Sequence, residues 1–169
     1  MLLVGRGGGE SATFDGSLVL GWLFSAIPDS GSNLKSMPKK AILCVDDERI
    51  VLLSLRDQIT YHFGDRYAYE LAESADEALE VIEELNEDGV QILIIVSDWL
   101  MPNMKGDELL IQVHKQFPKI VTVLLTGQAD ENAIERTRKH ANLHRYLAKP
   151  WDKASLIEAL ESGLEGKDE

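Results

Sequence analysis

Between residues 41 and 164, short apolar runs alternate with amphipathic segments. Ala41–Val45 (AILCV) is wholly apolar, which predicts a strand buried on both faces. Over Glu48–Phe63, Ile50, Leu52, Leu53, Leu55, Ile59 and Phe63 recur mostly at three- and four-residue steps, which predicts a helix. Tyr67–Ala72 is a second strand candidate. Ser74 and Glu77 have capping-box spacing and open a helix carrying Ala78, Leu79, Ile82 and Leu85, which Gly89 ends. Gln91–Ser97 (QILIIVS) is the most apolar strand, and Asp98 stops it. Gly106–Phe117 reads as a helix closed before Pro118, and Ile120–Leu125 as a strand stopped by Thr126 and Gly127. Asp130–His140 is a more weakly patterned helix, Leu143–Ala148 a strand stopped by Lys149 and Pro150, and Lys153–Leu164 a final helix.

Five strands in strict alternation with five helices predict an α/β fold with a parallel sheet covered on both faces. Right-handed crossovers restrict it to doubly wound arrangements. Such folds bind ligands in the crevice at the carboxyl ends of their strands.

The regular text begins near residue 37. Residues 1–36 hold the run Gly5–Gly9 (GRGGG), the apolar stretch Leu18–Ile27 and the turn-rich segment Pro28–Asn33 (PDSGSN). They read as a flexible N-terminal extension, or as an upstream start mistaken for the true one. Residues 37–169 form the folded domain. Leu18–Ile27 is shorter than the ~18 apolar residues of a spanning helix. Its flanks, with Arg6 the one base against Glu10 and Asp15, suit a signal peptide poorly.

The composition narrows the function. With 44% hydrophobic and 27% charged residues the chain is globular rather than disordered. A net charge of −12 disfavours nucleic acid as a partner. Cys44 is the single cysteine, so no intrachain disulfide forms, and it reads as core packing. The four histidines lack metal-binding spacing, and no Gly-Lys-Ser/Thr follows the glycine run. The acidic helix from Glu73 to Glu87 reads as a solvated face.

The residues just past the strand ends carry the chemistry. They are Asp46, Asp47 and Glu48 after the first strand, Asp98 after the third, Thr126 and Gly127 after the fourth, and Lys149 and Pro150 after the fifth. Each alone has an ordinary structural reading: an Asp as helix cap, an Asp in a turn, a solvated lysine. In a parallel sheet, however, all these ends share one rim. Crowded carboxylates raise each other's pKa unless a cation sits among them. Mg²⁺ suits such a set, because it takes one or two carboxylates, keeps waters and accepts phosphate oxygens. Lys149 offers a positive charge to a phosphoryl group, Thr126 a hydroxyl donor, and an aspartate can be a nucleophile toward phosphorus.

Here the sequence resembles the receiver domain of two-component response regulators. The matching text is Ile42–Glu48 (ILCVDDE), Ser97–Pro102 (SDWLMP) with Gly106, Leu125–Gly127 (LTG) and Tyr146–Pro150 (YLAKP). The resemblance runs from about Met37 to Leu164. It implies a flavodoxin-like sheet of order 2-1-3-4-5. It implies that Asp98 accepts a phosphoryl group from a phosphohistidine on a histidine kinase or phosphotransfer protein. Asp47 would bind Mg²⁺ directly, Asp46 largely through water, and the main-chain carbonyl of Leu100 would be a further ligand with Asp98. Lys149 would pair with the phosphoryl group. Thr126 would move onto a phosphate oxygen and Tyr146 would turn inward behind it. That switches the face made by the fourth helix, fifth strand and fifth helix, where the family binds its outputs. Leu100 and Gln128, two residues past Asp98 and Thr126, would tune phosphoryl lifetime. The family also implies a cytoplasmic location, and Met37–Lys40 (MPKK) resembles a natural start for it.

The resemblance makes the chain a phospho-acceptor switch rather than an enzyme. Its output would be a downstream protein, or an output domain not contained in this sequence. Two other readings stand beside it. A phosphatase with an aspartyl-phosphate intermediate would typically carry D-x-D at the nucleophile, whereas Trp99 and Leu100 follow Asp98. A binding module that never needs phosphate is the third.

Overall fold

The computed structural model describes residues 38–127 and 131–167. Residues 1–37, the Gln128–Asp130 connection and the last two residues lie outside them, so the expectations for the N-terminal extension and for Gln128 do too.

The elements follow in the order β1 (Lys40–Val45), α1 (Arg49–Phe63), β2 (Ala68–Ala72), α2 (Ala75–Glu87), β3 (Gln91–Asp98), α3 (Gly106–Gln116), β4 (Val121–Thr126), α4 (Glu131–Ala141), β5 (Leu143–Ala148) and α5 (Lys153–Leu164). The five strands form one sheet in the order β2-β1-β3-β4-β5, and every pairing is parallel. Strand order reverses beside β1, which opens the crevice between β1 and β3 at their carboxyl ends. No helix among the described residues is long and apolar enough to cross a membrane.

The apolar strands are buried on both faces, as their sequence demands. Side chains alternate across a strand, so Ile42 and Cys44 of β1 join one core while Ala41, Leu43 and Val45 join the other. The first core packs under α1 and α5, through Leu52, Leu55, Ile59, Leu156 and Leu160. The second packs under α2, α3 and α4, through Ile82, Leu109, Leu110, Val113 and Ile134. In β3 the alternation breaks: Leu93 and Ile94 both face the first core. The cause is a register shift opposite Ala41 and Ile42, where Ala41 pairs with Ile92 and Ile42 with Ile94. The extra residue, Leu93, is a bulge that no periodicity announces.

Local signals match most element ends. Ser74 is the N-cap of α2, its hydroxyl accepting from Glu77 N at 3.1 Å. The Glu77 carboxylate reaches back to Glu73 N at 2.6 Å, one residue before the usual capping-box partner. Asp98 and Thr126 are the last residues of their strands rather than the first beyond them. That keeps their backbones pinned in the sheet while their side chains reach the rim.

Gly106 makes the closest approach in the fold. Its N–H donates to Trp99 O at 2.9 Å. A Cβ added there would lie 1.9 Å from the Asp98 carbonyl oxygen. The first turn of α3 therefore rests directly on the backbone of the residue that ends β3.

Two outcomes are expected. Gly106→Ala forces apart two backbone segments, so stability should fall by about 1–3 kcal/mol or more in chemical denaturation. Cys44 is 2% exposed, and burial pushes its thiol pKa up to about 12. The native protein should leave a thiol reagent unreacted near neutral pH, and denaturant should release one reactive thiol.

Candidate functional site

Four residues, Asp46, Asp98, Thr126 and Lys149, stand at the carboxyl rim of the sheet. Asp46 directly follows β1, and its N–H extends the pairing with β2 by donating to Ala72 O at 3.1 Å. Asp98 ends β3, Thr126 ends β4, and Lys149 directly follows β5. Backbone bonds tie these ends to each other. Trp99 N donates to Leu125 O at 2.8 Å, and Lys149 N donates to Thr126 O at 2.8 Å. The Lys149–Pro150 peptide is cis.

The side chains meet as the strand ends predict. The Lys149 ammonium donates to Asp46 Oδ2 at 2.6 Å and lies 2.8 Å from Asp98 Oδ1. One carboxylate oxygen from each of Asp46, Asp47 and Asp98 lies within 4.8 Å of the others. Asp46 and Asp98 are buried, at 0% and 5% exposure, while Asp47 faces solvent. Asp47, Glu48, Asp98, Trp99, Leu100, Gly127 and Lys149 line one cleft.

The ordinary readings of these residues give way to the joint one. Asp46 does serve the start of α1, accepting from Glu48 N at 2.9 Å. Glu48 itself is the N-cap, with no side-chain cap bond. The other Asp46 oxygen is committed to Lys149. Nor is Lys149 a solvated lysine, since its side chain is only 19% exposed.

Charge in the cleft is unbalanced. Burial holds the Asp98 carboxyl above its ordinary pKa, with the Lys149 hydrogen bond and charge opposing and the Asp46 charge adding to the rise. Burial alone would push the Lys149 ammonium down, but its bonds to Asp46 and Asp98 reverse this and leave it above its ordinary value. Two carboxylates thus share one ammonium, and a third, Asp47, stands within 4.8 Å of both carboxylates. A hard divalent cation with oxygen ligands fits this donor set.

The remaining predicted residues stand close by in different surroundings. Thr126 is buried, at 4% exposure, and paired in register with Ala148. Leu100 is exposed, at 63%, on the cleft rim. Tyr146 points outward from β5, at 46% exposure.

Sequence reasoning passed over two features of the surroundings. The cis Lys149–Pro150 bond had a signal in the X-Pro dipeptide. The ion pair between Arg136 and Asp107 joins residues 29 apart on different helices, and no local pattern points to it.

A family model described as the response regulator receiver domain matches residues 42–161. Among curated proteins, the chain is 27% identical over 126 residues to the hydrogenase transcriptional regulatory protein HoxA of Cupriavidus necator, covering 75% of this chain and 24% of that protein. It is 35% identical over 102 residues to the sensor kinase CckA of Brucella abortus, covering 60% of this chain and 10% of that protein. The chain thus spans a quarter or less of the length of these two relatives. Among solved structures, it resembles the signal receiver domain of an HD domain-containing protein from Pseudomonas fluorescens Pf-5, with TM-score 0.67 and 30% identity over 75% of this chain and 94% of that one. It resembles a CheY-like receiver domain protein from Methanospirillum hungatei JF-1 similarly, with TM-score 0.65 and 29% identity over 75% and 94% of the two chains. With the fold order and the strand-end cluster in place, these matches establish that the chain belongs to the response regulator receiver domain family, the phospho-accepting signalling switch of two-component systems.

Proposed function

We propose that Asp98 is the phospho-acceptor of this receiver and that Lys149, Thr126, Asp46 and Asp47 serve the transfer. The observation that carries this reading is the Lys149 ammonium held between the buried carboxylates of Asp46 and Asp98. A carboxylate fixed at the end of a strand and open to a cleft is a positioned nucleophile.

In the transfer, an Asp98 carboxylate oxygen attacks the phosphorus of a phosphohistidine on a histidine kinase or phosphotransfer protein. The new O–P bond forms as the N–P bond breaks, and the departing electron pair stays with the imidazole nitrogen, which takes up a proton. Asp46, Asp47, Asp98 and the main-chain carbonyl of Leu100 would hold Mg²⁺. When bound, that ion would neutralise charge on the phosphoryl oxygens and on the carboxylates. Lys149 pairs with the phosphoryl group from the opposite side of the cleft, exchanging a carboxylate oxygen for a phosphoryl oxygen. Asp46 also keeps the start of α1 in place through Glu48 N.

The reading extends to the switch. The Thr126 hydroxyl, at the end of β4, donates to a phosphoryl oxygen, and the exposed Tyr146 ring turns inward. This alters the α4–β5–α5 face, where a downstream protein or an output domain of a longer polypeptide docks. Residues 37–169 form the receiver, residues 1–36 are an extension to it, and the site of action is the cytoplasm, where kinases of this kind present their phosphohistidine. An aspartyl phosphatase is not favoured, because the residue two past Asp98 is the exposed, apolar Leu100 rather than a second acid.

Incubation with acetyl phosphate and Mg²⁺ should add one phosphoryl group to the intact mass. Asp98→Asn or excess chelator should abolish the gain, and an undiminished gain in Asp98→Asn would sink the assignment. Lys149→Ala should lower stability, since it leaves Asp46 and Asp98 without their counter-charge. In the fraction that circular dichroism shows folded, it should slow phosphoryl loading by roughly 10²–10³-fold, the cost of losing one fixed electrostatic partner. Quenched-flow or time-resolved mass spectrometry reads that rate.

A further inference from the structure

Outside the cleft, Asp107 is the one fully buried carboxylate among the described residues. It lies in the first turn of α3, where the positive end of the helix favours negative charge. That partial charge does not offset removal of a full charge from water. The counter-charge comes from α4. Arg136 Nη2 donates to Asp107 Oδ2, while 48% of the arginine side chain stays exposed. The other oxygen, Asp107 Oδ1, is buried without a hydrogen-bond partner among the described residues. The contact therefore links α3 to α4 through one carboxylate oxygen only.

Its position matters more than its strength. Asp107 follows Gly106, whose backbone presses on the Asp98 carbonyl and bonds to Trp99 O. Arg136 sits on α4, whose first residue, Glu131, comes five positions after Thr126 in the chain. The pair thus joins the helix that rests on the Asp98 backbone to the next helix after β4, the strand that Thr126 ends. Of all helix pairs in the fold, α3 and α4 pack most extensively. The strands that lead into these two helices end in the acceptor, Asp98, and in Thr126, the hydroxyl that follows the phosphoryl group.

We propose that the Arg136–Asp107 pair is a positioning latch, holding α4 on α3 while Asp98 is unmodified and opposing the rearrangement that phosphorylation drives. The proposal rests on the reading of Asp98 as acceptor. A shift of Thr126 toward Asp98 draws the start of α4 with it and pulls Arg136 off Asp107. The latch energy is present only in the unmodified arrangement, so it biases the two-state equilibrium toward that arrangement. Without Arg136 the bias disappears, and a ligand that favours the rearranged state binds more tightly. Neither residue touches the reacting atoms.

The test uses the full chain with Mg²⁺ and beryllofluoride as phosphoryl probe. Fluorine NMR reads beryllofluoride affinity, and amide hydrogen exchange reads residues 131–141. In Arg136→Gln, beryllofluoride should bind roughly 5–150-fold more tightly than in the parent, the usual range of a coupling between sites. Exchange in α4 without probe should match that of the probe-saturated parent. Arg136→Lys should fall between the two, because a lysine keeps charge but loses the guanidinium geometry. Should Arg136→Gln fail to fold, Asp107→Leu with Arg136→Met leaves no uncompensated buried charge and should show the same tightening. Unchanged or weaker affinity with a parent-like response in α4 overturns the latch and leaves the acceptor assignment standing. A parent that binds no beryllofluoride, or binds it equally after Asp98→Asn, overturns both.

Discussion

Two carboxylates nearly cut off from water share a single ammonium at the mouth of the sheet. Asp46 and Asp98 lie on adjacent strands, and Lys149 reaches both from the far side of β4. Buried charges persist only when they are paired and hydrogen-bonded. Lys149 has two partners at once, and the exposed Asp47 adds a third negative group. The site is therefore short of positive charge while its geometry is already set. The shortfall makes a divalent cation and a positioned phosphoryl group compatible with the same few ångströms of space.

That arrangement depends on the parallel sheet beneath it. Asp46, Asp98, Thr126 and Lys149 are each the last residue of a strand or the first beyond one, so their backbones are held by the neighbouring strands. Two apolar cores, one under α1 and α5 and one under α2, α3 and α4, clamp those strands from both faces. The bonds from Trp99 N to Leu125 O and from Lys149 N to Thr126 O carry the coupling from strand to strand. At the rim, the end of β3 is in direct backbone contact with α3 through Gly106 and with β4, the strand before α4, through Trp99. The Asp107–Arg136 pair joins α3 to α4 away from the rim.

Much of this was legible along the chain. The apolar runs AILCV and, within QILIIVS, ILIIV mark central strands, because a strand covered on both sides tolerates almost no polar position. Ser74 marks the start of α2 through its hydroxyl. The acids, the threonine and the lysine were legible as a set, since parallel strands must bring their carboxyl ends to one edge. The bulge at Leu93 was hidden, because an apolar strand looks the same in either register. The outward stance of Tyr146 was hidden too, since an aromatic residue in a strand suits both a core and a surface.

By itself the sequence determined the order of elements, the faces they bury and the residues that stop each strand, because periodicity and strand-breaking chemistry act locally. It also determined that several opposed charges must share one rim. Only the tertiary structure decided which charges pair. Lys149 bridges Asp46 and Asp98 across 103 and 51 residues, and Arg136 selects Asp107 rather than remaining in solvent. The physical reason is that the strength of a charge pair depends on burial and distance. Both are properties of the packed fold, and no local pattern along the chain encodes them.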